Sequence, residues 1–308
     1  MLTDTPGLHH VTALAGDAGR NVEFCVGTLG LRLVSTTVNQ EDVLVHHLYY
    51  GNGSAEPGTV LTYFAYPHQD PGRVGKPQPS AVSFSIPEGS VDHWRDRLRE
   101  HGIGVEGPIE RFGERVLRFT DPDGTPIELS EGESPVEPWA DGPIPEEHAI
   151  RGLHGVTLWP TTPYGTASVL ETLGLSLEGQ EGDRIRYRAS GDRARVVDLL
   201  DRGTEYGREG PGTIHHLAVR VGDVEELYEW HDLFREREIH VSRVRDRGYF
   251  HSLYVREQGG ILIELATDGP GLAPDDGRPD THVDLPRWAE GDREMIEGQL
   301  PSLELPTW

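Results

Sequence analysis

The 308-residue chain has one cysteine, Cys25, one lysine, Lys76, and no long apolar run. A lone cysteine excludes an intrachain disulfide, and its setting in Val22-Glu23-Phe24-Cys25-Val26 marks a reduced core residue, not a reactive thiol. No run of about eighteen apolar residues offers a membrane span, and residues 1–6 carry neither a basic region nor an apolar leader. A cytoplasmic protein that does not enter a membrane is expected. Also missing are a Gly-x-Ser-x-Gly nucleophile elbow, a Gly-x-x-x-x-Gly-Lys-Ser/Thr phosphate loop and a Cys-x-x-Cys pair. No cofactor other than a metal is indicated.

Positive charge is also scarce. Acidic residues number 52 against 28 basic ones, a net charge of −24, and arginine supplies every cation but Lys76. Such a surface repels phosphate backbones and anionic headgroups, so neither nucleic acid nor a membrane is an expected partner. In concentrated salt, screening removes the self-repulsion that this excess causes in dilute buffer, and a halophilic source is expected. A hydrophobic content of 35% still suffices for cores at this length.

What is present is an order of strand, helix and three strands, met four times. Module 1 (1–68) has a strand at 8–14, a helix at 20–28 stopped by Gly30, and strands near 31–39, 45–50 and 59–65. Module 2 (80–133) opens at Ala81-Val82-Ser83-Phe84-Ser85-Ile86 and continues through an amphipathic helix at 91–101. It closes with strands at 104–111, 115–119 and 126–130, the last two joined by the turn Asp121-Pro122-Asp123-Gly124. Module 3 (151–203) starts at Gly152-Leu153-His154-Gly155-Val156-Thr157-Leu158, has a helix near 166–173 and ends in a strand at 194–199. Module 4 (212–268) has a strand at 214–219, a long helix at 224–238, and strands near 240–245, 252–256 and 261–266. The proline- and acid-rich residues 134–150 are expected to link two halves, and 269–308 to form an irregular tail around one short helix near 293–299.

Histidine doublets mark the first strands of modules 1 and 4, in Gly7-Leu8-His9-His10-Val11-Thr12 and Thr213-Ile214-His215-His216-Leu217-Ala218. A lone Glu264 sits in the last strand of module 4, Ile261-Leu262-Ile263-Glu264-Leu265. Two imidazoles and one carboxylate can occupy one face of an octahedral divalent iron, leaving the other face for substrate and dioxygen. Aligning the modules places His10, Ala81, Gly155 and His216 at one first-strand position, and Thr62, Glu128, Asp198 and Glu264 at one last-strand position. The outer modules therefore offer His10, His216 and Glu264 as metal ligands, with Thr62 where a fourth would stand. The inner pair has two carboxylates and no imidazole, and is expected to be structural. Between Ile263 and Leu265, an unpaired Glu264 carboxylate facing a core would be costly; a metal, or a salt bridge to an arginine, would relieve it.

Four such modules, the two doublets and the segment Asp246-Arg247-Gly248-Tyr249-Phe250-His251-Ser252-Leu253-Tyr254-Val255-Arg256 resemble the vicinal-oxygen-chelate (glyoxalase/bleomycin resistance/dioxygenase) superfamily over nearly the whole chain. Within it, the chain looks like the hydroquinone ring-cleaving dioxygenases. The resemblance implies an α+β fold in which paired βαβββ modules curl into two half-barrel domains around a metal. It also implies Fe(II)-dependent opening of a hydroquinone or catechol-type ring by dioxygen, with Mn(II) as the alternative ion. By the same resemblance Arg247 and Tyr254 face the substrate, His215 is an acid–base residue, and His9 backs a ligand or touches substrate. His251 departs from the family pattern and is expected to bear on substrate choice.

Strand alternation turns neighbouring side chains to opposite faces, so His9 and His215 need local bulging to reach the site. A surface salt bridge is the other role open to Arg247. The doublet His46-His47 lacks a counterpart in module 4 and is expected to be a surface or hydrogen-bonding pair. Two other functions remain open: a glyoxalase-like isomerase whose divalent ion polarises a carbonyl, and an aromatic-binding protein without turnover. Thr62 favours the oxygenase, because the resembling lyases generally use a second carboxylate. A homo-oligomer is compatible with the sequence.

Overall fold

A computed structural model describes residues 2–272, 283–303 and 305. The first quarter comprises β1 (Leu8–Ala15), α1 (Ala18–Val22), β2 (Arg32–Asn39), β3 (Asp42–Gly51) and β4 (Val60–Ala65). The second comprises β5 (Gln78–Ile86), α2 (Val91–Glu100), β6 (Glu106–Arg111), β7 (Glu114–Thr120) and β8 (Pro126–Glu131). Then follow β9 (Leu153–Trp159), α3 (Pro163–Thr172), β10 (Ser176–Glu181), β11 (Arg184–Arg188) and β12 (Val196–Leu200). The last quarter holds β13 (Thr213–Val221), α4 (Val224–Glu236), β14 (His240–Val241), β15 (Arg245–Asp246), β16 (Phe250–Arg256) and β17 (Leu262–Pro270), and α5 (Arg293–Gln299) lies in the tail.

Two curled sheets result, and their strand order is what builds the site. One runs β14-β16-β17-β13-β1-β4-β3-β2, with β15 on β16, and joins the first and last quarters through antiparallel β1 and β13. The other runs β10-β11-β12-β9-β5-β8-β7-β6 and joins the two middle quarters through β5 and β9. The fold is α+β, with each sheet a half-barrel and its helices on the outside. The central strands are buried on both faces, every residue of β1 included.

The helices pack by their apolar stripes. In α4, the Asp223 carboxylate caps the first turn by accepting from the Glu226 N–H at 2.8 Å, and Leu227, Trp230 and Phe234 turn inward. Burying each such side chain contributes roughly 2–3 kcal/mol. Cys25 is fully buried, in agreement with the core residue expected.

Local differences from the sequence expectations have visible causes. The helix expected over 20–28 is α-helical only to Val22 and winds as a π-helix over Glu23–Thr28, where the Leu29 N–H donates to the Phe24 carbonyl. Gly30 follows at φ +67°, with the Ile144 side chain so close that a Cβ would meet it at 2.7 Å. The single strand expected near 240–245 is two short pieces, β14 and β15. At the break the Tyr254 N–H donates to the Ser242 hydroxyl at 2.9 Å, a side-chain acceptor standing in for a backbone carbonyl. Residues 134–150 form neither helix nor strand, yet Val136, Ile144, Ala149 and Ile150 are buried. Among the described residues no helix is long and apolar enough to cross a membrane.

Candidate metal centre

Three neighbouring strands bring the sequence-distant donors together. On β1 and β13, Thr12 faces His216 and His10 faces Ala218, so the two histidines lie diagonally across one ladder. Parallel pairing of β13 with β17 sets Glu264 beside Ala218. Donor atoms of His10, His216 and Glu264 all lie within 4.8 Å of one another, and all three residues are buried. Glu264 Oε2 is 3.2 Å from His10 Nε2 and 2.9 Å from His216 Nε2.

Those contacts are close but lack hydrogen-bond alignment. Both Glu264 oxygens and His216 Nε2 are buried without a hydrogen-bond partner in the protein. No arginine forms a salt bridge to Glu264 among the described residues, although one would have satisfied the carboxylate. Burial acts to raise the Glu264 pKa, but His10 and His216 beside it hold the group well below the usual carboxylate range. Burial also lowers His216 to about 4, against the opposing pull of Glu264. An ionised carboxylate and a neutral imidazole are the protonation states that a divalent cation requires. The donor set fits a metal ion, which would relieve a buried charge that no arginine or lysine among the described residues pairs with.

Bulges explain how both members of each doublet serve one site. The β1–β13 register slips between Leu8 and His10 and again between Thr12 and Ala13, leaving His9 and His215 as the extra residues. His9 Nδ1 meets His10 Nδ1 at 2.9 Å, and His215 Nδ1 meets His216 Nδ1 at 2.7 Å. The two are not equivalent in access. His9 is buried behind His10 against Phe250, whereas His215 is half-buried and borders the cavity above the donors.

That cavity has a volume of about 1240 Å³. Tyr254 lies opposite Glu264 on adjacent strands, with its ring 5.5 Å from that of His216. Burial, then the Glu264 charge, raises the Tyr254 pKa, so its phenol stays protonated. The Arg247 guanidinium stands 5.3 Å from the centre of the Tyr254 ring and pairs with Glu41 at 3.3 Å. It is thus a cavity wall, not a surface salt bridge alone. His251 also borders the cavity.

Three further features complete the cavity, and of these the hydrogen-bonding role of the third histidine doublet was expected from the sequence. Tyr49 is the counterpart of Tyr254: it faces Thr62 across β3 and β4 as Tyr254 faces Glu264. Alignment of the modules contained that signal. His47 Nε2 lies 2.9 Å from Thr62 Oγ1, and His46 Nε2 lies 2.7 Å from the Pro301 carbonyl oxygen, so the third doublet is a hydrogen-bonding pair. The tail roofs the cavity with Leu285, Pro286 and Trp288. It is tied down by the Asp284 N–H donating to the Thr36 carbonyl at 2.8 Å and by Leu285, Ala289 and Ile296 packed on Val38.

The inner pair of modules has no imidazole at the aligned ligand positions, although His154, one residue earlier on β9, lies 3.2 Å from Glu114, so the expected absence of imidazole holds only for the aligned positions. Ser83 pairs with Glu128 and Thr157 with Asp198, the same register that Ala218 and Glu264 hold. Here guanidinium groups supply the positive charge. Arg111 grips Glu128, Arg184 lies 2.9 Å from Asp198, and Arg186 bridges Asp198 at 2.8 Å and Glu114 at 2.7 Å.

Known proteins share this architecture. The family model described as Glyoxalase/Bleomycin resistance protein/Dioxygenase superfamily matches residues 7–129 and 170–265. The protein provisionally named ring-cleaving dioxygenase MhqO, from Bacillus subtilis (strain 168), is 40% identical over 306 residues, covering 98% of each chain. The chlorohydroquinone/hydroquinone 1,2-dioxygenase of Sphingobium indicum is 35% identical over 273 residues, covering 84% of each. A crystal structure from Bacillus subtilis subsp. subtilis str. 168, provisionally named a dioxygenase, superposes with a TM-score of 0.94 at 38% identity, covering 99% of this chain and 100% of that one.

Proposed function

The chain belongs to the glyoxalase/bleomycin resistance protein/dioxygenase superfamily, and from that premise we propose that it is an Fe(II)-dependent ring-cleaving dioxygenase acting on a hydroquinone-type aromatic. One observation carries this reading: His10, His216 and Glu264 converge beneath a large cavity, with a buried carboxylate that no arginine or lysine pairs with among the described residues. These three would hold the ion, His10 and His216 through Nε2. When bound, divalent iron would supply the one-electron chemistry through which dioxygen reacts with an aromatic ring.

The residues of the chain have the remaining tasks. Aromatic walls from Tyr49, Phe64 and Phe250 fix the plane of the ring, and Trp288 borders the cavity from its solvent-exposed side. His215 is the residue placed for proton management: burial lowers its pKa, so it borders the cavity as a neutral imidazole, and with Nδ1 accepting from His216 its Nε2–H is the group able to hydrogen-bond a substrate oxygen. Tyr254 donates its hydroxyl proton in a hydrogen bond to oxygen charge that develops beside Glu264. Arg247 sets a permanent positive charge against the same region. His9 holds His10, and His251 touches substrate farther from the ligands. Thr62 offers no second carboxylate, which keeps the ligand set at three and disfavours a carbonyl-polarising isomerase.

An oxygen electrode tests this directly. Protein reconstituted with iron under nitrogen, in high salt, should consume oxygen with hydroquinones and form an open-chain acid. Conversion of a glyoxalase-type substrate without oxygen uptake would support the isomerase instead, and saturable binding of aromatics with neither activity would leave a binding protein.

A further inference from the structure

Thr62 and His47 continue the wall of the half-barrel past the three ligands. The strands run β17, β13, β1, β4, β3, and in that order they carry Glu264, His216, His10, Thr62 and His47. Thr62 Oγ1 lies 2.8 Å from Thr12 Oγ1 and 2.9 Å from His47 Nε2, a three-residue relay at the place of the missing fourth ligand. The His47 ring is held between Tyr49 and Phe64, with centroids 4.1 and 4.3 Å away, and is largely buried where it borders the cavity. Burial, then His10, His216 and Arg247, keeps His47 well below the usual imidazole pKa, so it is neutral with one N–H and one lone pair. With Nε2 engaged by Thr62, Nδ1 is the nitrogen left for a ligand.

Resting on the dioxygenase reading, we propose that His47 is a specificity residue whose Nδ1–H donates a hydrogen bond to the far hydroxyl of a para-dihydroxybenzene. In this assignment Thr12 donates to Thr62 and Thr62 to His47 Nε2, the one of the two directions open to these contacts that leaves the His47 proton on Nδ1. A catechol bound at the ligands presents both oxygens to the near end of the cavity and leaves His47 unpaired. A hydroquinone reaches along the wall and satisfies it.

The test compares hydroquinone with 4-methylphenol, in which a methyl group replaces the far hydroxyl. Binding to the iron-loaded, full-length protein is measured by calorimetry under nitrogen, so turnover is not required. Wild type should prefer hydroquinone by roughly 3- to 10-fold, the effect of one hydrogen bond. The preference should vanish in His47→Leu and persist in His47→Asn, whose amide N–H lies near the place of Nδ1. Iron content and melting temperature should match wild type in both. A preference that survives in His47→Leu, or disappears equally in His47→Asn, overturns the donor role of His47. Failure of wild type to bind either phenol overturns the dioxygenase reading beneath it.

Discussion

His215 and His216 meet through their Nδ1 atoms at 2.7 Å, and His9 and His10 repeat the contact at 2.9 Å. A neutral imidazole that presents Nε2 to a cation keeps its proton on Nδ1, so each bulged histidine must accept there. One chemical relationship is thus built twice, on the two strands whose junction fuses the outer modules. The difference lies in what else each bulged histidine can reach.

His9 does not border the cavity, so its replacement should act on the metal alone. His9→Leu is expected to weaken Fe(II) or Mn(II) affinity by roughly 10- to 100-fold, with turnover at saturating metal close to wild type. His215→Leu should weaken metal binding similarly and also lower turnover at saturation. Metal titration under nitrogen and oxygen uptake separate the two effects. Equal loss of saturated turnover in both variants would deny His215 a separate acid–base task.

Glu114 ties the arginine network of the inner half-barrel to acid stability. Burial opposes its ionisation, but His154 and Arg186 bring its pKa down from the usual 4.5 to about 2. A group whose folded pKa is depressed stabilises the fold above its unfolded value and loses that contribution as pH falls through the folded value. The Glu114 share is therefore present above pH 4.5 and fades toward pH 2. Glu114→Gln should be less stable than wild type at neutral pH, and the two urea-denaturation curves should converge as pH approaches 2. A constant gap across this window would mean that the ionisation of Glu114 is not what stabilises the fold.

Much of this architecture was legible because strand register repeats what module alignment showed. The aligned last-strand residues Thr62, Glu128, Asp198 and Glu264 pair with Thr12, Ser83, Thr157 and Ala218, each two residues beyond its aligned first-strand position. Hydrophobic period and repetition are local signals, and they survive in a single sequence. Bulging at His9 and His215 could be named only as a condition for their reaching the site, since an extra residue in a ladder is defined by its partner strand. Nor was the roof formed by the tail: Asp284 pairs with Thr36 across almost the whole chain, and a proline-rich segment carries no periodicity that foretells its partner.

Acidity makes a separate prediction about salt. A net charge of −24 should destabilise the compact state at low ionic strength, and screening should restore it. The melting temperature should rise from dilute buffer to about molar potassium chloride, where the Debye length is roughly 3 Å. A flat or falling profile would remove the inference of a salt-adapted source while leaving the metal centre untouched.

Glu264 and Tyr254 stand opposite each other on β17 and β16, yet they should fail in different ways. Glu264→Gln removes the charge that two imidazoles alone cannot replace, so iron should be lost on desalting together with turnover. Tyr254→Phe keeps the aromatic volume and all three donors, and it should retain iron. Its turnover should fall by roughly 10²- to 10⁴-fold if the hydroxyl stabilises charge or moves a proton as the ring opens. Metal analysis and oxygen uptake on the same preparations give both quantities. Wild-type turnover in Tyr254→Phe would reduce that residue to packing, whereas full iron retention with activity in Glu264→Gln would overturn the ligand assignment itself.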